Sequence, residues 1–290
     1  MPRSTPEDWP TRHRRHDETL VRHYTFRGGT PQMVISIGRR LTLISIGALL
    51  LFFFAIYAPG QTFLAHPVPA NEPSTHSPAI VIGFVGGFIA HDNPVHSEVQ
   101  LAARLRKEYP TGVVVETFES YRGERAHQKI LKLLDTDRNG TLTAIEKRNA
   151  RIIIYGHSWG GSESIDLARA LQKEGVPVLL TVQVDSVSKY DRNDRLIPAN
   201  VAQAVNFYQP DGIVHGVHNI RAADPARTKI IGNFRFDYAK SSLNCAGYPW
   251  YDRFLVKAHT QIECDPVVWA RVESLIREKL PQTSPGGESQ

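Results

Sequence analysis

Cysteine is scarce in this chain, with two in 290 residues, and so is any excess of charge beyond its first forty. Residues 1–40 hold eight Arg against four acids, whereas the remainder carries 26 basic against 25 acidic side chains. The basic balance therefore belongs to the N-terminal arm. A near-neutral remainder has no surplus of cations for phosphates, which excludes a nucleic-acid partner. Internal repeats are also missing, so the chain is not a repeat array. Two cysteines permit one disulfide at most. What the chain does have is apolar substance: 41% of its residues are hydrophobic, enough for the core of one α/β domain of ordinary size.

Long uncharged stretches are confined to one place. Leu41 to Ala58 reads LTLISIGALLLFFFAIYA, directly after Arg39-Arg40. That run is just long enough to cross the hydrocarbon layer as a helix, and it is apolar all round rather than on one face. The Arg pair keeps its N-terminal end in the cytoplasm and sends the rest across. The expectation is a basic arm at 1–40 and a transmembrane or signal-anchor helix at 41–58. A cleaved signal starting at Met33 is the alternative, with small-residue sites at Ala58-Pro59-Gly60 or Val68-Pro69-Ala70. Either way the residues beyond lie outside the cytoplasm, anchored to the membrane, or secreted or periplasmic after cleavage. Cys245 and Cys264 suit that address as one disulfide, closing a loop worth roughly 3 kcal/mol of stability. Two buried, unpaired thiols are the other reading.

Residues 59–78, with HPVPANEPSTHS from His66 to Ser77, form a Pro-rich linker. From 79 to 280 short apolar runs alternate with amphipathic ones. Strands are expected at Ala79–Gly83, Val113–Phe118, Arg151–Tyr155 and Val176–Val184, with helices at Val95–Tyr109, Glu124–Leu134 and Gly161–Lys173 between them. Ala202–Tyr208 and Lys229–Phe234 read as further strands. Pro266–Leu280 reads as a closing helix, with Asp265 as its cap and Pro in its first turn. Strands apolar throughout, separated by helices, imply an α/β fold: a mostly parallel central sheet with helices on both faces. Residues 281–290 are a polar tail.

The motif Gly156-His157-Ser158-Trp159-Gly160 stands between an apolar strand and a helix carrying Ile165, Ala168 and Leu171 on one face. A G-x-S-x-G elbow needs this strand–turn–helix setting: the turn strains the serine backbone, lifts Oγ off the sheet, and leaves no room for side chains two residues away. With this context the chain resembles the α/β-hydrolase family, particularly its lipases and esterases, from about Ala79 to Leu280. The resemblance implies Ser158 as nucleophile and a triad running Ser, acid, His along the chain. His215, His218 and His259 are then the available bases. His259 is preferred, in a loop just before the last helix. His215 and His218 are surface-loop residues or substrate contacts, too few for a metal site. Asp185, directly after LLTVQV, is preferred as the acid, because a strand end fixes a carboxylate well; Asp211, in NFYQPDG, is the alternative. The oxyanion hole should combine the Trp159 amide with one from the loop containing Gly86, Gly87 and Phe88. The same glycines read as a dinucleotide-binding turn have the wrong spacing.

DTDRNGTLTAIE, from Asp135 to Glu146, matches an EF-hand loop. Asp135, Asp137 and Asn139 supply side-chain oxygens, Gly140 makes the sharp turn, and Thr141 offers its carbonyl. Thr143 acts directly or through water, and Glu146 is the bidentate ligand. The loop lies at the amino edge of the sheet, opposite Ser158, so its Ca2+ is expected to be structural. An acidic turn binding no ion tightly is the bland alternative. The whole implies an exported serine hydrolase acting on a small-molecule or lipid ester, with a fairly open site. The alternatives are thioester cleavage or acyl transfer, and a catalytically inert calcium-binding surface protein.

Overall fold

The computed structural model describes residues 77–189, 192–239 and 243–282. The arm, the apolar run Leu41–Ala58, nearly all of the linker and most of the tail lie outside the described residues. No described helix is long and apolar enough to cross a membrane.

The chain opens with β1 (Ala79–Val85), α1 (Ser97–Glu108), β2 (Val113–Glu119), α2 (Gly123–Leu134) and the short α3 (Ala144–Arg148). Next come β3 (Ile152–His157), α4 (Trp159–Lys173), β4 (Val178–Val184), β5 (Leu196–Ile197), β6 (Val201–Tyr208), β7 (Arg221–Ala222) and β8 (Lys229–Arg235). Three helices close it: α5 (Trp250–Leu255), α6 (Lys257–Cys264) and α7 (Pro266–Arg277). Six strands form one sheet in the order β2-β1-β3-β4-β6-β8, and every pairing in it is parallel. The small β5–β7 ladder is separate.

The apolar strands follow from burial on both faces. Along β1 and β3, Ile80, Ile82, Ile152 and Ile154 face α2 and α4, joining Ile130, Leu134, Ile165 and Leu171. The alternate residues Val81, Ile153 and Tyr155 face α1, α6 and α7, joining Leu101, Leu105, Ile262 and Trp269. Each large aliphatic side chain so buried contributes about 1.5–3 kcal/mol. The outermost strands, β2 and β8, are only partly buried, as edges should be.

Two differences from the sequence reading bear on function. The strand before the elbow runs on to His157, and α4 begins at Trp159, so the turn is one residue, Ser158. The region before α7 is two short helices, not a loop, and His259 stands within α6. Their helical signal was weak because α5 buries none of its residues: Trp250, Phe254 and Leu255 are exposed. α6, at eight residues, offers only about two turns of periodicity, from Ala258 and Ile262.

Candidate active site

Chain order fixes where a site can form. β1 connects to β2 on one side and β3 lies on its other side, so the strand order reverses between β1 and β3. Parallel sheets bind ligands in the crevice beyond the carboxyl ends of the strands at such a reversal. Ser158 follows β3 there, and the loop of Gly86 and Gly87 follows β1.

Ser158 has φ +55° and ψ −126°, a conformation rare for a residue with a side chain. Its surroundings hold it there. The Ser158 amide donates to the Val184 carbonyl (3.0 Å), and the Ser158 carbonyl accepts from the Gly161 and Val187 amides (3.0 and 3.1 Å). The flanking glycines are required sterically. A Cβ at Gly156 would stand 2.4 Å from the Gly160 carbonyl, and one at Gly160 would stand 2.2 Å from the Phe84 carbonyl oxygen. Strain of this kind costs on the order of 1–3 kcal/mol and persists where function needs the geometry.

His259 Nε2 lies 2.9 Å from Ser158 Oγ, and its Nδ1 lies 2.7 Å from Asp185 Oδ2. Asp185 follows β4 as Ser158 follows β3, on neighbouring strands, with φ +43°, and it is fully buried. Three further donors fix its carboxylate. The Gly216 and Gln209 amides donate to Oδ1 (2.7 and 3.2 Å), and Gln209 Nε2 donates to Oδ2 (2.8 Å). Gly216 is glycine by necessity, since a Cβ there would meet the Asp185 backbone at 2.4 Å. Ser158, Asp185 and His259 are thus brought together.

Other candidates stand elsewhere. Asp211 Oδ2 accepts from the Tyr238 amide (3.0 Å), and the Asp211 amide donates to Gln209 Oε1 (2.6 Å). His215 lies against His218, whose ring stacks on Tyr208. Gly86 packs against the nucleophile, for a Cβ on it would sit 3.1 Å from Ser158 Cβ. Gly87 takes φ +49°, and its carbonyl accepts from Ser120 Oγ (2.9 Å). Phe88 is largely exposed and meets Trp159 edge-on, with ring centroids 5.3 Å apart. A cavity of about 660 Å³ opens beside the elbow, lined by Phe88, Tyr121, Trp159, Glu163, Lys189 and Arg192.

Four buried residues behind the triad have no functional role in the sequence reading, where His157 stands only as part of the elbow motif. His157 packs against the His259 ring at a tilt of 34°, with centroids 4.5 Å apart. Beyond it lie His96, Glu98 and Glu263, buried like His157. Burial pushes the Glu98 and Glu263 carboxyls up and the His157 and His96 imidazoles down. They come from three separate elements, so no local pattern marks them as a group.

The acidic loop lies at the far edge of the sheet, between α2 and β3. Asp135, Asp137 and Glu146 place one oxygen each within 4.8 Å of one another. Gly140 takes φ +82°, Asp135 accepts from the Asn139 and Gly140 amides, and the Thr141 amide donates to Asn139 Oδ1. Glu146 Oε1 accepts from Thr136, and its Oε2 from Thr143, closing a capping box on α3. These bonds, the Thr143 amide foremost, hold its carboxyl near 2. An oxygen-only donor set with glycine at the bend fits a hard cation such as calcium. Cys245 and Cys264 are joined, with Cα atoms 5.8 Å apart, and the bond ties the end of α6 to the segment before α5.

What the fold and site define is a doubly covered parallel sheet with a Ser–His–Asp relay at its topological switch point. No family model matches the chain, and no curated protein matches it. Among solved structures it is similar to an α/β-superfamily hydrolase from Xanthomonas campestris pv. campestris, at 12% identity over 69% of this chain and 99% of that one, with a TM-score of 0.33. A thioesterase from the prodiginine biosynthetic pathway of Streptomyces coelicolor is similar at 11% identity over 76% and 98%, with a TM-score of 0.37. A dienelactone hydrolase-like promiscuous phosphotriesterase from metagenomic libraries is similar at 15% identity over 71% and 88%, with a TM-score of 0.32. At such identities and scores the chemistry rests on the geometry of Ser158, His259 and Asp185.

Proposed function

We propose that this chain is an exported serine hydrolase that cleaves carboxylic esters through an acyl-enzyme. One observation carries the reading: the relay from Ser158 Oγ to His259 to Asp185, with contacts of 2.9 and 2.7 Å, at a strained one-residue turn. Ser158 Oγ attacks the ester carbonyl while His259 Nε2 takes its proton and then delivers it to the departing alcohol. Water, activated by the same imidazole, releases the acid and restores Ser158. Asp185 holds the Nδ1 proton and stabilises the imidazolium, a task suited to a buried carboxylate already fixed by Gln209 and Gly216. The Trp159 amide, at the N-terminus of α4, is assigned to the oxyanion with an amide from Gly86, Gly87 or Phe88. The aromatic walls of the neighbouring cavity, Phe88, Tyr121 and Trp159, suit an apolar acyl or alcohol part.

Calcium in the Asp135–Glu146 loop is assigned a structural role, with Asp135, Asp137, Asn139, Thr141, Thr143 and Glu146 as its ligands. The compact acidic cluster supports this. A cell-envelope address, with the domain outside the cytoplasm and Leu41–Ala58 in the membrane or cleaved away, agrees with the joined cysteines. The test is hydrolysis of short and long p-nitrophenyl esters by the full chain in mild detergent. Ser158→Ala should lose at least about a thousandfold in kcat/KM without a change in melting temperature. More than a few per cent of residual activity overturns the assignment.

A further inference from the structure

Behind the triad four side chains from three separate elements converge. His96 precedes α1, Glu98 lies in its first turn, His157 ends β3, and Glu263 lies near the end of α6. All four are buried, Glu98 completely. His96 Nδ1 is 2.5 Å from Glu263 Oε1. His157 Nδ1 stands 3.4 Å from Glu263 Oε2 and 3.8 Å from Glu98 Oε1. One ligand atom each from His96, Glu98 and Glu263 falls within 4.8 Å of the others.

Neither oxygen of the fully buried Glu98 carboxylate has a hydrogen-bond donor, and neither ring nitrogen of His157 has a hydrogen-bond partner. Within the protein, a proton shared with the Glu263 carboxyl is one way to satisfy Glu98. A buried carboxylate without a partner is costly, and a second carboxylate beside it raises the cost. With both carboxyls ionised and both imidazoles neutral the cluster would carry a charge of about −2, which one divalent cation would cancel. A tetrahedral zinc with ligands at about 2.0–2.2 Å sets them roughly 3.3–3.6 Å apart, within the 4.8 Å that bounds the ligand atoms of His96, Glu98 and Glu263. Calcium would want six to eight oxygens, and this cluster offers two imidazoles in their place.

We propose that His96, Glu98 and Glu263, with His157 packed beside them, bind a divalent first-row transition-metal ion of the zinc type. The site is distinct from the calcium loop, which lies at the opposite edge of the sheet. Its three ligands are buried behind the relay, so the ion is assigned a structural role. By joining the start of α1 to α6 it would fix the surroundings of His157, and through the packing of the two rings fix His259 above Ser158.

The test uses the full chain, purified without a histidine tag or chelator and analysed for metals. The result expected is close to one equivalent of zinc, or of another first-row transition metal, per chain. After stripping with a zinc-selective chelator, in millimolar calcium throughout, added zinc should restore a higher melting temperature. Competition against a chromogenic zinc indicator should give a 1:1 site. Glu98→Gln should weaken that site by at least about tenfold, and His96→Gln should do the same if Glu98→Gln does not fold. If protons rather than metal neutralise the cluster, the purified chain holds no metal, zinc leaves the melting temperature unmoved, and Glu98→Gln melts like wild type. Any of these three results overturns the proposal.

Discussion

At the scale of single residues, the site separates into groups set by local sequence and groups brought in by the fold. Ser158 is the first kind: two glycines, an apolar strand and a helix start within a few residues announce its turn, and φ of +55° is the outcome. Asp185 is nearly so, because the strand LLTVQV ends where it begins. Gln209 and Gly216, which hold its carboxylate, are ordinary residues in a loop, and nothing local marks them. The two aspartates should therefore behave very differently. Asp185→Asn puts an amide where His259 Nδ1 needs an acceptor, and kcat/KM should fall by several powers of ten, on the order of the 10⁴ seen when a triad acid is neutralised. Asp211→Asn should stay within about threefold, as its carboxylate only accepts the Tyr238 amide. Steady-state kinetics on both variants decides, and equal mild losses would remove Asp185 from the triad.

Among elements, the strands and long helices were legible because burial on both sheet faces writes itself into sequence as unbroken apolar runs separated by amphipathic ones. The region before α7 was not. α5 turns Trp250, Phe254 and Leu255 outward, so its apolar residues carry no inward-facing period. α6 is held by contacts that the sequence does not express: a disulfide from Cys264, and bonds from His259 to residues more than seventy positions away. The acidic loop between α2 and β3 is the reverse case, written wholly in twelve consecutive residues. Calcium at about a hundredfold excess over Kd, with Kd on the order of 0.1–1 mM, should raise the melting temperature by roughly 5–10 °C. Glu146→Gln should erase the rise while leaving ester hydrolysis at low temperature near wild type, because the loop and Ser158 occupy opposite edges of the sheet. Calorimetry with and without calcium measures this. A melting temperature indifferent to calcium would reduce the loop to an acidic turn, and rapid reversible loss of turnover on chelation would contradict its remote placement.

For the whole molecule, the parallel sheet and its two helical layers were expected, and the topology adds why chemistry gathers at one end of it. The reversal of strand order between β1 and β3 opens a crevice that Ser158, Asp185 and His259 reach from three elements. The cluster of His96, Glu98, His157 and Glu263 was invisible in sequence because its His96–Glu263 contact spans 167 positions. Deep burial also sets an alkaline limit on the domain. Desolvation raises the pKa of Tyr155, whose hydroxyl donates to the Glu98 carbonyl, and of Tyr238, whose hydroxyl donates to Asp265. Both folded values lie above the unfolded value of about 10. Their contribution to stability is therefore complete below about pH 10 and is lost as pH rises through the folded values. In a spectrophotometric titration of the ten tyrosines these two should stay protonated until the protein unfolds. Ionisation of all ten in one smooth step with structure intact would contradict that burial.

The central claim, that Ser158 is an activated nucleophile, is tested most directly by covalent labelling. The full chain should react stoichiometrically with a fluorophosphonate, and peptide mapping should place the adduct on Ser158, within RIIIYGHSWGGSESIDLAR. His259→Ala should abolish the labelling, since without the imidazole the hydroxyl is a weak nucleophile. No adduct on folded wild-type protein, or an adduct on a different serine, would contradict the account.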